Sequence, residues 1–485
     1  MAMALDAAGH DFTIFEKADD LGGTWRDNRY PGLTCDVPAV VYTYSTHRSV
    51  DWPRVLADGP EIHAYLARVF AEAGLAARTR FGAAVTEATW RGDRWQVTAG
   101  DGFVGDFDAI VHATGFLHHP AIPDIVGLDD FAGPAFHSSR WPTDLDVDAL
   151  AGRTVGVIGT GSTGVQLTTA LSRHGQVRLF QRTPQWIFPV PDLPVPSPLR
   201  RFLGARPGVT ARMIELAERA GDWFLGGAAR GATVPRALFT AACRANLARV
   251  RDRDLRRRLT PRHAPLCKRP VMSAAFYPAV ASASVDLIDA GIERIVADGV
   301  VTDDGVHHDV DLLVLATGFD AHAYMRPMAL TGIDGCRLDD AWSRGPSAYR
   351  TIAVHGFPNM FMMFGPHAPL LSVAIHNSAE REAAYIVQVL DRLAEGAGVG
   401  GAVGEPTVVG LHPSAEATAE WVGEMRDALV DSVWSGDCSS WYVDEDGLAI
   451  MWPHDRDDWF DLLATPCWDH FDEVVAPTGP TRTKG

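Results

Sequence analysis

Residues 155–167, VGVIGTGSTGVQL, decide the fold of this 485-residue chain. They contain the spacing G-x-G-x-x-G, with an apolar run typical of a buried parallel strand before it and an apolar-periodic stretch after it. In that order of strand, glycine turn and helix, a dinucleotide pyrophosphate lies against the helix N-terminus. We therefore predict a Rossmann-type dinucleotide-binding domain here. Its predicted cofactor contacts are Gly159, Gly161, Ser162, Thr163, Gly164 and Gln166.

The strand after this helix indicates which dinucleotide the domain prefers. It ends at Phe180 and continues as Gln181, Arg182 and Thr183. NAD-specific folds carry an acidic residue at this tip, whereas an arginine there pairs with the 2′-phosphate of NADP. Arg182 and Thr183 are therefore predicted contacts of NADP. A solvated loop charge is the ordinary alternative for such an arginine.

A second dinucleotide-binding unit is expected at the start of the chain. Residues 11–17, DFTIFEK, predict a short strand ending at Glu16, the position where an acidic residue binds ribose hydroxyls. The Ala-rich residues 1–10 predict the end of the preceding helix. Since such a unit begins with a strand and a glycine turn, we expect these to precede residue 1 and the chain to open inside the first helix.

Two copies of Ala-Thr-Gly-Phe, residues 113–116 and 316–319, each end an apolar strand. A glycine at the carboxyl end of a strand lets the backbone approach a cofactor closely. We expect each dinucleotide domain to close with such a strand, and we expect Ala316, Thr317 and Gly318 to contact a cofactor. For either copy alone, an ordinary turn is the alternative.

Composition excludes several classes of partner. The net charge of −18 argues against nucleic acid or an anionic membrane surface. The six cysteines form no C-x-x-C pair, so we expect neither a zinc site nor a disulfide framework, and we expect a cytoplasmic location. The adjacent histidines His118–His119 and His307–His308 do not share a helix face, so we expect exposed loop residues and no metal site.

Three further stretches gain meaning when they are read together. Residues 22–36 follow G-G-x-W…N-x-Y-P-G-x-x-x-D, residues 131–142 follow F-x-G-x-x-x-H-x-x-x-W-P, and residues 267–270 read CKRP. Singly, each is consistent with loop packing, a structural histidine or a surface charge pair. In this order around one dinucleotide motif, they resemble the type I Baeyer–Villiger monooxygenases, the class B flavoproteins that depend on FAD and NADPH. The resemblance extends to about residue 470.

The resemblance implies an α/β fold with two Rossmann-like dinucleotide-binding domains and a helical insert. The FAD domain is then discontinuous, because the NADP domain is inserted into it. The expected boundaries are 1–140 for the first part of the FAD domain, 141–195 and 263–308 for the NADP domain, 196–262 for the helical insert, and 309–485 for the rest of the FAD domain with the C-terminal segment.

The resemblance also implies a reaction. In that family NADPH reduces FAD, the reduced flavin captures dioxygen as a C4a-peroxide, and the peroxide attacks a ketone or aldehyde to give an ester or lactone. Arg269 matches the family's fixed positive charge beside the peroxide, and Asp36 matches the partner that orients it. His137 matches a residue that couples domain position to NADP binding. The remaining matched cofactor contacts are Gly23, Thr24, Trp25, Asp36, Lys268 and Trp441.

Two other functions stay open at this point. A flavoprotein of the same class that hydroxylates nitrogen or sulfur shares most of these motifs. A non-catalytic NADP-binding remnant is the other alternative, because no glycine fingerprint with its strand precedes Glu16. Neither the ketone nor the oligomeric state is predicted by the sequence.

Overall fold

The computed structural model of the chain describes residues 1–369, 371, 373–398, 407–430, 432–435, 443 and 449–476. The strands of this part, β1 to β20 in chain order, are Ile14–Phe15, Thr79–Arg80, Val85–Trp90, Trp95–Ala99, Val104–Phe107, Ile110–His112, Ala135–His137, Thr154–Ile158, Gln176–Phe180, Ile187–Phe188, Val271–Met272, Val285–Ile288, Ile292–Val296, Gly299–Thr302, His307–Asp309, Leu312–Leu315, Ala329–Thr331, Met360–Met362, Val408–Pro413 and Phe471–Val475. The helices, α1 to α14, are Ala2–Ala8, Thr24–Asp27, Gly59–Glu72, Ser162–Leu171, Ser197–Gly204, Pro207–Gly221, Gly227–Ala229, Thr233–Leu247, Arg253–Arg258, Phe276–Val280, Leu338–Ala341, Ile375–Gly398, Ala415–Leu429 and Arg456–Leu462.

A five-stranded parallel sheet forms the centre of one half of the molecule, in the order β12-β9-β8-β16-β7. Its central strands β8 and β16 are almost wholly buried, because helices and loops cover both faces of a parallel sheet. The predicted strand, glycine turn and helix appear as β8 followed by α4. The expected Rossmann-like α/β fold is confirmed.

This sheet does not respect the predicted domain boundaries. β7 lies before residue 141 and β16 lies after residue 308, yet both are hydrogen-bonded members of the sheet. The boundaries at 140 and 309 therefore separate strands that pair in space. Strand pairing is a long-range property, so the position of a motif along the chain does not reveal it.

The other half is built from strands distant in sequence. β6, which directly precedes the first Ala-Thr-Gly-Phe, pairs in parallel with β18, while β1 pairs in parallel with β2. A four-stranded sheet, β17-β3-β4-β5, contains an antiparallel meander formed by residues 85–107. The fully buried Trp95 donates its Nε1–H to the carbonyl of Pro358 at 2.6 Å, which holds the meander against the later segment.

Helices α5 to α9 occupy the stretch expected to be a helical insert. The insert begins after β10 and ends before β11, and these two short strands pair in parallel. Ile214 of α6 packs with Val41 and Ala374 of the other half. The insert therefore lies against residues from both the start of the chain and the beginning of α12.

The cysteines differ from the expectation in one respect. Cys267 is disulfide-bonded, whereas Cys35, Cys243, Cys336 and Cys467 are free thiols. The absence of C-x-x-C pairs did not predict this bond, because the fold and not the local spacing decides which cysteines meet. Among the described residues, no helix has the length and apolar composition needed to cross a membrane.

Candidate active site at the junction of the two dinucleotide units

The three glycines of the fingerprint turn have different surroundings. Gly159 has φ +115°, and a Cβ on it would lie 2.4 Å from the carbonyl oxygen of Ala316. A Cβ on Gly164 would lie 2.0 Å from the oxygen of Gly159, so this glycine lets α4 pack against the turn. A Cβ on Gly161 would meet no atom within 4 Å. The turn thus leaves open space directly before the first amide groups of α4, beside Ser162 and Thr163.

Two cations converge at the tip of β9. Arg182 is exposed and Lys268 is half-buried. Burial and then the neighbouring charge of Arg182 lower the pKa of Lys268, and burial together with Lys268 lowers the pKa of His263 to about 4. Within the described part of the chain, neither Arg182 nor Lys268 forms an ion pair with a carboxylate. Such a pair of cations favours an anionic group between them.

The backbone of Thr183 holds the loop at the tip of β9 in place. Its carbonyl oxygen accepts a hydrogen bond from the hydroxyl of the buried Thr160 at 2.8 Å. That bond ties the loop after β9 to the glycine turn after β8. The contact of Thr183 with NADP stays a prediction.

Asp36 and Arg269 meet although they lie far apart in sequence. Nη2 of Arg269 lies 2.9 Å from one carboxylate oxygen of Asp36 and 3.2 Å from the other, and Nε lies 3.3 Å from the first. Both side chains are half-buried. The pair presents a positive charge in a set orientation, since a guanidinium that binds a carboxylate through two nitrogens has little freedom to turn.

The loop that carries Asp36 is fastened to helix α4. The hydroxyl of Tyr30 donates to Oε1 of Gln166 at 2.8 Å, and Nε2 of Gln166 donates to the carbonyl of Thr34 at 2.9 Å. At Gly32, where φ is +81°, a Cβ would lie 2.9 Å from that of Ala170. Burial raises the pKa of Tyr30 to about 12, so the hydroxyl keeps its proton. The Gln166 side chain therefore joins the two units of the fold, a role that the predicted cofactor contact did not include.

His137 connects the histidine motif to the second Ala-Thr-Gly-Phe. Its Nε2 lies 2.9 Å from the carbonyl oxygen of Gly318, and its Nδ1 accepts from the backbone N–H of Ser139 at 3.2 Å. The side chain is buried, and burial lowers its pKa. With both nitrogens engaged and the ring neutral at pH 7, His137 positions the end of β16. Because β7 and β16 belong to one sheet, this bond lies within one dinucleotide unit, and the coupling role of His137 stays a prediction.

The end of β16 is open on its other side. Gly318 has φ +84°, and a Cβ there would meet nothing within 4 Å. The hydroxyl of Thr317 donates to the carbonyl of Ala121 at 2.6 Å, so this side chain fixes the neighbouring loop. Ala316 is buried beneath the glycine turn, where its carbonyl excludes a side chain at Gly159.

Four of the residues predicted to face FAD lie between the end of β1 and helix α2, namely Glu16, Gly23, Thr24 and Trp25. Glu16 accepts from the N–H of Ala18 at 2.9 Å through Oε1 and pairs with Arg26 at 3.2 Å. Gly23 has φ +51° and precedes α2, where Thr24 is exposed and Trp25 half-buried. Nε1 of Trp25 donates to the hydroxyl of Tyr42 at 3.1 Å.

Sequence reasoning missed an aromatic and histidine cluster behind Trp25. The ring of His376 lies 4.4 Å from that of Tyr42 and 4.5 Å from that of Tyr44. Burial lowers the pKa of His376 to about 4, so the imidazole is neutral. A single histidine at the start of a helix carries no local signal, and only the fold brings it behind the residues of the 22–36 motif.

The structure differs from the prediction at His118 and His119. His118 and His119 are half-buried rather than exposed, and their Nε2 atoms bond to the carbonyls of Tyr324 and Arg326 at 2.6 and 2.7 Å. The expectation of exposed loop residues is therefore wrong for this pair, because a returning chain segment covers them. Trp441 lies outside the described residues.

Several known proteins are similar to this chain in sequence. A family described as flavin-binding monooxygenase-like matches residues 4–191. An uncharacterized monooxygenase of Mycobacterium tuberculosis is 45% identical over 441 residues, covering 91% of this chain and 86% of that protein. A Baeyer–Villiger monooxygenase of Streptomyces coelicolor is 33% identical over 450 residues, covering 91% and 84%.

Solved structures are similar over almost the whole chain. Cyclohexanone monooxygenase from Rhodococcus sp. Phi1 bound to NADP+ has a TM-score of 0.84 at 27% identity, covering 97% of this chain and 96% of that one. OTEMO in complex with FAD and NADP has a TM-score of 0.85 at 26% identity, with the same coverage. Given the 33% identity to a named relative over 91% of this chain and 84% of that relative, the chain belongs to the type I Baeyer–Villiger monooxygenase family.

Proposed function

We propose that this protein binds FAD and uses NADPH and O2 to insert an oxygen atom next to the carbonyl group of a ketone or aldehyde, giving an ester or lactone. One atom of O2 enters the carbon–carbon bond beside the carbonyl. The other leaves as water, with the two electrons of NADPH and one further proton. The observation that carries the proposal is the Asp36–Arg269 pair, fastened through Thr34 and Gln166 to the dinucleotide fingerprint.

The residues present fit NADPH. The open space at Gly161 suits a pyrophosphate, which approaches the backbone closely at the second glycine of such a turn. Arg182 lies close enough to Lys268 to contribute, after burial, to the lowered pKa of that lysine, as expected for two cations that share a 2′-phosphate. A carboxylate in their place would repel that phosphate.

The residues present also fit FAD. Gly23 and Gly115 both have positive φ, and a Cβ on either would meet no atom within 4 Å. Nζ of Lys17 lies 3.4 Å from Nδ1 of His118, so the segments that follow β1 and β6 lie close together. Ligands of open α/β sheets bind at the carboxyl ends of the strands. FAD, when bound, supplies the two-electron chemistry that links NADPH oxidation to O2.

The chain's own residues have distinct tasks in this proposal. The guanidinium of Arg269 keeps its proton at any working pH, so it stabilises negative charge on oxygen by attraction alone. Asp36 holds that guanidinium in one orientation. Gln166 joins the two dinucleotide units, and His137 fixes the end of β16 within the five-stranded sheet, so that the pair and the glycine turn stay aligned.

The test is oxygen incorporation by the purified 485-residue chain supplied with FAD. We expect a flavin absorption band that bleaches with NADPH under anaerobic conditions and returns with air. With 18O2 and a panel of cyclic and linear ketones, we expect esters or lactones that carry one labelled oxygen, identified by mass spectrometry.

Three outcomes would contradict the proposal. NADP binding with no flavin uptake would indicate a binding protein without catalysis. Oxidation of a thioether or amine with no ester from any ketone would indicate the heteroatom-hydroxylating alternative. Ester without label from 18O2 would show that dioxygen is not the source of the inserted atom.

A further inference from the structure

Three metal-ligating side chains meet where the ribbon of β19 and β20 packs on residues 353–361. His412 and Asp472 are directly opposite each other in the antiparallel ribbon. His355 lies in the facing turn, with its ring centroid 5.3 Å from that of His412. One ring nitrogen of each histidine and a carboxylate oxygen of Asp472 all lie within 4.8 Å of one another.

The two imidazoles are held by the same backbone carbonyl. Nδ1 of His355 lies 2.9 Å from the oxygen of Pro413, and Nδ1 of His412 lies 3.1 Å from it. The backbone N–H of Gly356 also approaches Nδ1 of His412, at the longer distance of 3.4 Å. The shorter contacts favour Nδ1–H on both rings over the arrangement in which Nδ1 of His412 accepts from Gly356, and that tautomer leaves Nε2 of each ring with a lone pair.

This arrangement is typical of metal ligands. A histidine that binds a metal almost always donates its other ring N–H to a carbonyl or carboxylate, which sets its tautomer and orientation. Here one carbonyl does this for two histidines from different segments. His412 is buried, whereas His355 and Asp472 are exposed.

The backbone beneath the three residues is rigid. The side chain of Asn359 donates to the carbonyl of Val409 at 3.0 Å and accepts from the N–H of Leu411 at 2.9 Å. The hydroxyl of Tyr349 lies 2.7 Å from Nδ1 of His470, next to the start of β20. The turn of His355 is therefore already joined to the ribbon that carries the other two ligands, as a preorganised site requires.

We propose that His355, His412 and Asp472 bind one zinc ion, with water completing its coordination. Two imidazoles and a carboxylate suit zinc and neighbouring divalent transition metals, whereas calcium and magnesium prefer oxygen ligands. Zinc bonds of about 2.0–2.2 Å place ligand atoms roughly 3.4 Å apart. Rotation of the exposed side chains of His355 and Asp472 closes the remaining distance. The ion then cross-links the C-terminal ribbon to the segment that contains β18.

A second group of ligands provides the contrast. Asp298, His307 and Asp309 also lie within this distance, but they share one short hairpin and all three are exposed. Only one imidazole is present, and its Nε2 and Nδ1 already contact the two carboxylates at 3.0 and 3.4 Å. These are surface charge pairs, and they make His307 a matched control.

The experiment is zinc titration of the full chain without a histidine tag, after treatment with EDTA and dialysis. Calorimetry and elemental analysis measure the affinity and the number of ions per chain. We expect one tightly bound zinc ion and a higher unfolding temperature with zinc. His355→Ala and Asp472→Asn, both at exposed positions that spare the buried His412, are each expected to weaken zinc binding at least tenfold. His307→Ala is expected to leave it unchanged.

Two results would overturn the proposal. One is wild-type protein that retains no stoichiometric zinc under these conditions. The other is zinc affinity in the double variant His355→Ala/Asp472→Asn that equals the wild-type value. Loss of binding in His307→Ala alone would assign the ion to the hairpin and would also contradict the site proposed here.

Discussion

Two arginine–carboxylate pairs of this chain lie in different surroundings. Arg456 and Glu218 have side chains only 9% and 5% exposed, and Nη2 of Arg456 lies 3.1 Å from the carboxylate. Arg269 and Asp36 are 31% and 21% exposed and form a similar contact at 2.9 Å. The buried pair joins helix α6 of the insert to helix α14, and Asn377 donates to the same carboxylate at 3.1 Å.

The difference in burial separates a structural pair from a chemical one. A buried pair whose partner is removed leaves a charge that water cannot reach, so its loss destabilises the fold. A half-exposed pair contributes little to stability because water and salt screen it. Its positive charge remains available to a reactant. We therefore expect the first pair to hold the insert in place and the second to act in the reaction.

The largest effect is expected from Glu218→Ala. Removal of the carboxylate leaves the buried Arg456 with only the exposed Asp457 as its charge partner, which should lower the free energy of unfolding by up to about 3–5 kcal/mol. The measurement is the thermal unfolding midpoint, with proteolysis of helix α6 as a local readout. Arg257→Ala is the control, since its ion pair with Asp254 is exposed on both sides and should contribute less than about 1 kcal/mol. Equal effects from the two variants would remove the distinction.

Arg269→Ala should have the opposite effect to Glu218→Ala, with a large loss of activity and little loss of stability. We expect ester formation to fall by roughly 100-fold or more, as when one stabilising donor is removed from an oxyanion site. NADPH oxidation should continue and release hydrogen peroxide, while the unfolding midpoint changes little. Product analysis and peroxide assays measure the two outcomes, with the exposed Arg257→Ala as control. Retained ester yield would refute the assigned role of Arg269.

Glu382 extends the comparison of the two pairs to a buried carboxylate that has no arginine partner in the described part of the chain. It accepts from the N–H of Phe364 at 3.1 Å, and burial raises its pKa to about 8 from the ordinary 4.5. Between these values the native chain binds the extra proton. The free energy of unfolding should therefore fall as pH rises, by up to about 1.4 kcal/mol per pH unit.

The test of this pH dependence is Glu382→Gln. The variant should lose stability less steeply between pH 6 and pH 8 than the wild type, as followed by urea unfolding. Glu424→Gln, at an exposed position on α13, serves as control. An unchanged slope in Glu382→Gln would show that this carboxyl group does not titrate in that range.

The smallest effect concerns the exposed cation at the tip of β9. Arg182→Ala should raise the KM for NADPH about tenfold, as expected for the loss of one hydrogen bond to a charged group. The KM for NADH, which lacks the 2′-phosphate, should hardly change. Steady-state kinetics with both cofactors decide the point, and equal losses would exclude a 2′-phosphate contact.

Local features of the fold were predictable from the sequence, and distant ones were not. β8, the glycine turn and α4 follow from residues 155–167, because hydrophobic pattern and glycine spacing act over a few residues. The meeting of Asp36 and Arg269 was expected from the family resemblance, and the structure places them in contact. The membership of β7 and β16 in one sheet was missed, because hydrogen bonds between strands carry no mark in either strand's own sequence.

The same limit applies to contacts within the candidate site. The contact of Gln166 with a cofactor stays a prediction, and its amide holds Thr34 and Tyr30, which come from another unit of the fold. His118 and His119 were expected to be exposed, yet residues 324–326 cover them. In each case the partner is more than a hundred residues away, so the composition around the residue cannot reveal it.

The sequence by itself therefore determined the type of domain, the glycine turn and the motifs that mark the family. Those properties depend on backbone conformation and side-chain type within short segments. Only the tertiary structure decided which other side chains meet: Glu218 with Arg456, and His355 with His412 and Asp472. Burial, shared hydrogen bonds and charge pairing arise between segments distant in sequence, so they exist only after the chain has folded.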